Sequence, residues 1–463
     1  MRILFVVTSD DYIRNYVRTG VLDALRERHE LLIAADQNLG LVGEVKALDG
    51  FLGTYSTDST NDKRHRLLLQ LYMWRFRAKS RTFYYRWQGM AKWSLLLPTE
   101  NFTERVLNTL RWLRHVLTEK KVWRIPLLGN RILFPLVAHV LKDRLRAPRS
   151  LSDLVTQRPL DLIVFASSGY ESTALDLVNM GSELDIKTLC LVDNWDNLTS
   201  KTIFWAKPDF LGVWGPQIKE QAIRIHGFDE HQVLEIGSPR FESYFSEMPC
   251  SDSTSQQMPY VLFVGSAMPF DELAALHNLE SELDRNGLSP HNIRIIYRPH
   301  PWQQQRRCAA QFEQSQFEYT TLDQQMAQLY PDGGWPKHSN TSIQPDLDYY
   351  PQLLKGSQLV VGPLTTMLLE AALCLRPVIG LGYNDGLHFN TARRYFTHFD
   401  DTEKIPGFFL CESPHDLSNI VARALAHPPI TPAKSDPITQ HFVVHSRTDS
   451  YRERLLKAIN LIH

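Results

Sequence analysis

Short, unbroken apolar runs alternate with helix-patterned stretches twice along this chain, on either side of one polar linker. That rhythm leaves few folds open. Ile3 to Val7 is apolar throughout, as a strand buried on both faces must be. Ser9 and Asp10 can cap a helix carrying Tyr12, Ile13, Tyr16, Val17, Val21, Leu22 and Leu25, and His29 to Ala35 gives a second buried strand. The pattern resumes with strands at Asp161–Ala166, Lys187–Val192 and Pro208–Trp214, and helices follow Ser167-Ser168-Gly169 and run from Gln217 to His226. The stretch SEMPCSDSTSQQMP is polar and bounded by prolines, as an interdomain linker would be. Beyond it come strands at Val261–Val264, Arg294–Tyr297, Gln358–Val361 and Pro377–Leu381, with a helix from Thr366 to Leu375. The class expected is α/β, with two doubly wound Rossmann-like domains facing a cleft. Residues 1–245 form the first domain, 246–258 the linker, 259–445 the second domain and 446–463 a C-terminal helix. Ligands of such sheets bind outside the carboxyl ends of the strands. The first turn has no GxGxxG, so the usual dinucleotide fingerprint is missing.

One segment breaks the rhythm. From about 60 to 150 apolar and aromatic residues recur at helical spacing, with Arg and Lys between them, which predicts a helical insertion in the first domain. Between 63 and 149 stand twenty Lys and Arg against four Asp and Glu, although the whole chain of 463 residues has a net charge of −1. Five of the ten Trp also lie here (Trp74, Trp87, Trp93, Trp112 and Trp123). Interleaved Trp and Arg suit anionic lipid headgroups or a lipid-diphosphate-linked acceptor; a nucleic acid or a plain solvated face are the rivals. Nothing else in the chain carries a nucleic-acid signature, so no nucleic-acid partner is expected. The most apolar stretch, Ile125 to Leu141, is interrupted by Pro126, Arg131 and Pro135, and does not suit a membrane span. The first apolar run is too short for an export signal, and no two of the five Cys form a CxxC pair. A cytoplasmic location follows, with peripheral attachment at the inner face of the plasma membrane left open.

The chemistry-bearing residues gather at predicted strand ends. Gly362-Pro363-Leu364-Thr365-Thr366 turns out of a buried strand into a helix, where free N–H groups and two hydroxyls favour a phosphate. Glu370, one turn on, could accept from ribose hydroxyls; otherwise it is a surface charge and Thr365 only a cap. Arg298 and His300 flank Pro299 at another strand end, where guanidinium and imidazole suit a phosphate. Gly265 and Ser266 end the second domain's first strand, and the Gly would let a backbone N–H approach a ligand. In the first domain the loop Asp193-Asn194-Trp195-Asp196-Asn197 could orient a hydroxyl-bearing substrate or supply a base, or be an Asx-rich turn. Asp10, Asp11 and Glu171 are further candidate bases, and equally candidate caps.

Taken together, RPHP at 298–301, GPLTTMLLEAALCLRPVIG at 362–380 and NWDNLTSK at 194–201 with the following PDFLGVWGPQIKEQAIRIHG resemble the GT-B glycosyltransferases. The likeness is greatest to bacterial surface-polysaccharide enzymes, including CDP-glycerol glycerophosphotransferase-like and CMP-sugar-using groups. It covers roughly 160–385 and leaves out the basic insertion. The resemblance implies a donor-binding second domain, in which His300, Thr365 and Thr366 contact donor phosphate and Glu370 the ribose. It places NWDN, with Asn194 and Asn197, at the reacting centre. It implies no cofactor beyond the nucleotide-activated sugar itself. No DxD-type motif stands at a matching place, so metal-independent chemistry is expected. Two Thr stand where many relatives carry Ser, which keeps the hydroxyls.

The function expected is transfer of a sugar from a nucleotide-sugar donor to a hydroxyl of a polysaccharide or lipid-linked cell-envelope acceptor. If the enzyme inverts, a first-domain carboxylate takes the acceptor's proton, with Asp196 the first candidate, then Asp10, Asp11, Asp193 and Glu171. Transfer of a CDP-linked polyol phosphate is the near alternative. A 2-epimerase would show a Gly-rich segment such as DSGG where GPLTT stands. A non-catalytic scaffold that binds polyanions or membrane is the remaining rival.

Overall fold

The computed structural model describes residues 1–96, 99, 101–119, 122–167, 169, 171–245, 258–268, 270–300, 312, 315–323, 345–385, 393–446 and 449–462. Two fully parallel sheets form the frame. The first contains β1 (Arg2–Val7), β2 (Glu30–Asp36), β3 (Phe51–Tyr55), β4 (Leu162–Ser167), β5 (Lys187–Val192), β6 (Phe210–Val213) and β7 (Val233–Glu235), in the order β3-β2-β1-β4-β5-β6-β7. The second contains β8 (Tyr260–Val264), β9 (Arg294–Arg298), β10 (Thr320–Leu322), β11 (Leu359–Pro363), β12 (Val378–Leu381) and β13 (Phe408–Cys411), in the order β10-β9-β8-β11-β12-β13. Each order reverses once, between β1 and β4 and between β8 and β11, and these switch points are where doubly wound sheets open a crevice. The architecture is α/β, two Rossmann-like lobes with a helical insertion in the first.

The local reasons are those of buried parallel strands. Ile3 to Val7 are all fully buried, and β1 pairs in register with β2 on one side and β4 on the other. The single helix expected over 12–25 is instead broken. A π-turn covers Ile13–Val17, and Gly20 at φ 72° lets the chain re-enter a helix at Val21–Arg26. The linker 246–257 lies outside the described residues, as do Ser168 and Pro301. The C-terminal helix Tyr451–Ile462 returns to the first lobe, where Tyr451, Leu455 and Ile459 pack with Phe5, Tyr16 and Ile33.

Between β3 and β4 lies the insertion, with helices Ser59–Arg75, Arg81–Met90, Phe102–Arg114, Arg124–Leu128 and Leu133–Asp143. It is anchored to the first lobe by Leu69, Met73 and Phe83 against Ile203 and Ile225. Its buried His65 meets the Asp176 carboxylate at 3.0 Å. It also reaches the second lobe, since Thr82 donates to the Tyr395 carbonyl at 2.7 Å and Arg81 pairs with Asp400 at 2.9 Å. The basic insertion is thus a strap across both lobes near the cleft.

Candidate functional site

β5 delivers the loop 193–201 to the interlobe gap. Trp195 is fully buried and donates to the Gln217 Oε1 at 2.7 Å, while the Gln217 amide donates to the carbonyls of His398 and Asp400. Its ring packs against Phe399 and Phe442. Trp195 is therefore a bolt between the lobes, and it fixes the polar residues beside it. Asn194 is one of them, and its Oδ1 accepts from the Thr366 hydroxyl across the gap at 3.4 Å. Asn197 is buried, and its amide donates to the Ser167 carbonyl at 3.0 Å. Its Oδ1 has no hydrogen-bond partner among the described residues.

The carboxylates divide by what surrounds them. Asp10 is fully buried and accepts from the backbone N–H groups of Gly40 and Leu41, so it organises the turn after β2. Glu171 accepts from the Tyr12 hydroxyl at 2.9 Å, the Ser167 hydroxyl at 2.8 Å and the Gly169 N–H at 3.1 Å. Asp196 pairs with Lys201 at 2.9 Å and accepts from the Ser200 hydroxyl at 2.7 Å. Burial alone would raise its pKa, but Lys201, His398 and the Ser200 hydrogen bond together drive it well below the usual range. Asp193 goes the other way. It accepts from the Asn15 amide at 3.2 Å, and its pKa is pushed up to about 6 by burial, then by Asp11 and Glu171, against the pull of Arg240 and Lys201. Asp11, half-buried at the start of the first helix, is thus one of the charges that raise the pKa of Asp193.

The second lobe brings a different set. A Cβ at Gly265 would stand 2.6 Å from the His300 backbone N, so only glycine lets the ends of β8 and β9 close this tightly. The Gly265 N–H donates to the Arg298 carbonyl at 2.8 Å, and the Ser266 N–H donates to Glu272 at 2.8 Å. Glu272 also accepts from the Tyr297 hydroxyl at 2.5 Å, and burial, opposed by these bonds and by Arg298, raises its pKa to about 7. Arg298 is buried, donates to the Tyr350 hydroxyl at 2.8 Å, and its Nε has no hydrogen-bond partner among the described residues. Burial, with the charges of Arg298 and Lys201, lowers the His300 pKa to about 3. Neutral at physiological pH, His300 offers a phosphate a hydrogen bond and no charge. Thr365 precedes the helix Thr366–Leu373 in extended conformation, and its side chain makes no cap hydrogen bond. Thr365 and Thr366 are both half-buried.

Glu370 is placed differently from the ribose contact that the resemblance implies. It is buried, with one oxygen accepting from the Tyr244 hydroxyl at 2.5 Å and the other paired with Arg240 at 3.1 Å. It ties the lobes together one turn into the helix that begins at Thr366. Arg240, Tyr244 and Tyr350 carry no local sequence signal, because each acts through a partner 52 or more residues away, and Glu272, six residues past Ser266, takes its other partner, Tyr297, from the next strand. The Arg240 guanidinium lies 4.7 Å from the ring centres of both Trp214 and Phe241. Among the described residues no group of three His, Cys, Asp or Glu side chains is placed to hold a metal ion.

No protein-family model matches the chain, and no curated protein matches it in sequence. Solved structures of similar shape include a UDP-GlcNAc 2-epimerase of Neisseria meningitidis bound to UDP-GlcNAc, at TM-score 0.48 and 9% identity, covering 100% of both chains. The UDP-GlcNAc 2-epimerase of Methanocaldococcus jannaschii is similar at TM-score 0.46 and 12% identity over 99% of both chains. A glycotransferase of kitacinnamycin is similar at TM-score 0.47 and 10% identity, over 100% of this chain and 98% of its own.

Proposed function

We propose that this chain is a glycosyltransferase of the GT-B type. It moves a sugar from a nucleotide-activated donor to a hydroxyl of a lipid-linked cell-surface polysaccharide acceptor, at the cytoplasmic face of the membrane. One observation carries the reading: Asp193, a carboxylate whose pKa is pushed up to about 6, lies on the same loop as Asn194, which meets the hydroxyl at the start of the helix Thr366–Leu373. A proton acceptor on one lobe therefore sits close to an anion cradle on the other.

The donor's phosphate oxygens take the free N–H groups at that helix start and the hydroxyls of Thr365 and Thr366, where the helix dipole favours negative charge. His300 adds a neutral donor, and the positive charge of Arg298 lies behind it. The sugar–phosphate bond breaks with its electron pair passing to the nucleotide, whose new charge these groups stabilise. The acceptor oxygen bonds to the sugar carbon and gives its proton to Asp193. With a pKa of about 6, Asp193 is mostly ionised at pH 7 yet basic enough to accept. Asp196, neutralised by Lys201, is the weaker base of the two. A CDP-linked polyol phosphate would occupy the same cradle, and the mass of the product separates the two donors.

A thermal-shift panel of CMP, CDP, UDP, GDP and dTDP tests the reading. A melting temperature raised by one nucleotide in the wild type, and unmoved by it in His300→Ala, supports it. A panel in which no nucleotide moves the wild type overturns it.

A further inference from the structure

The insertion leaves an apolar surface uncovered. Of the seventeen large hydrophobic side chains exposed among the described residues, thirteen lie between Tyr84 and Val140, so this exposure is a property of one segment and not of the surface at large. Ile132 is 85% exposed, Phe102 77% and Leu136 63%. The helix Phe102–Arg114 has no buried residue at all. A helix of that length is marginal in water without packing.

Its two faces explain the geometry. Phe102, Val106, Leu110 and Leu113 recur at the i, i+4, i+8, i+11 spacing of one stripe, and all four are exposed. Trp112 and the following His115 lie on the other side and hold the helix to the protein. The Trp112 ring centre is 6.2 Å from that of Trp93, and the His115 Nε2 is 2.9 Å from the Met90 carbonyl. The apolar stripe thus faces outward. By helical spacing Arg105 flanks it on one side and Arg114 on the other.

We infer that this face of the insertion docks into the headgroup region of an anionic lipid bilayer. The charge argues for that occupant. The segment 63–149 carries its twenty Lys and Arg against four acids around these exposed side chains, a pairing that anionic headgroups over acyl chains satisfy. A second copy would bring the same positive block against itself. A nucleic acid would meet the charge and leave the leucines in water. Among the described residues no helix is long and apolar enough to cross a membrane, so the contact lies in the interface plane. The inference stands on the insertion alone and holds whatever the cleft transfers.

The test is co-sedimentation of the full chain with phosphatidylcholine vesicles, with and without phosphatidylglycerol, at low and high salt. Binding to the anionic vesicles alone, weakened by salt, is expected. Leu110→Glu with Ile132→Glu should weaken it on the order of a hundredfold, and Arg105→Glu with Arg114→Glu about tenfold or more. All four positions are exposed, so an unchanged melting temperature and an unchanged nucleotide response are the controls for folding. No binding to anionic vesicles at low salt overturns the inference. So does binding that ignores the Leu110→Glu and Ile132→Glu pair, or a wild-type dimer in light scattering that the same pair dissolves. Failure of the nucleotide panel alone leaves it standing.

Discussion

At the end of β5 the first lobe presents a cluster dominated by carboxylates, Asp193 and Asp196 with Asp11 and Glu171 beside them. At the ends of β8, β9 and β11 the second lobe presents hydroxyls, an imidazole and a guanidinium. The six strands of the second sheet follow the order of the first six of the first sheet, which adds β7 at its edge, and the switch point stands at the same place in each. Topology therefore sets where the rims lie and leaves their charge to the loops. One fold used twice therefore carries rims of opposite character, acidic on the first lobe and rich in hydroxyls and cations on the second, which is the division the proposed transfer needs. The carboxylates are themselves divided, since Lys201 and Ser200 spend Asp196 on structure while Asp11 and Glu171 keep Asp193 poised.

Removing the proposed proton acceptor on the first rim should have the largest effect. Asp193→Asn is expected to lower kcat about 10²–10⁴-fold while nucleotide binding on the opposite rim persists. The wild-type rate should rise with pH through about 6 and the variant should lack that limb; steady-state kinetics on both proteins decides this. If nucleotide binding falls with it, the division between rims fails. Next in size, Arg240→Ala strands the buried Glu370 carboxylate with only the Tyr244 hydroxyl. A loss of about 3 kcal/mol in stability is expected by chemical denaturation, and the clamp is refuted if the midpoint stays put. On the second rim, Thr365→Val with Thr366→Val should weaken nucleotide binding about tenfold and leave stability nearly unchanged, as titration calorimetry would read. The smallest effect sharpens the Asp193 assignment. Its pKa is raised in the folded state, so its contribution is greatest below pH 4 and is lost as the pH climbs through about 6. Asp193→Asn should therefore melt relatively higher, against the wild type, at pH 8 than at pH 5.

The strands illustrate what a sequence discloses. The nine that read clearly are the interior ones, where burial on both faces demands an unbroken apolar run such as Ile3–Val7 or Val261–Val264. β3, β7, β10 and β13 did not read as strands, and all four are sheet edges. Phe51–Tyr55 is only half-buried along most of its length and contains Gly53; Val233–Glu235 and Thr320–Leu322 are three residues each. An edge strand has one neighbour, so its composition is less constrained. The site divides likewise. Gly265 and the Thr365-Thr366 turn were legible because a strand end must break there. Glu370 was legible as a residue of interest and illegible as a clamp, because Arg240 and Tyr244 reach it from the other lobe.

The two α/β lobes, the basic helical insertion and the residues at the strand ends are written in the order of residues, because burial periodicity and charge runs are local properties. Which carboxylate has its pKa raised and which is neutralised, that His300 is uncharged, and that the apolar stripe of the helix Phe102–Arg114 faces outward are settled by the folded chain. Those outcomes depend on dielectric surroundings and on partners distant in sequence, and the energy of a charge or an apolar side chain is fixed by what lies within a few ångströms in space.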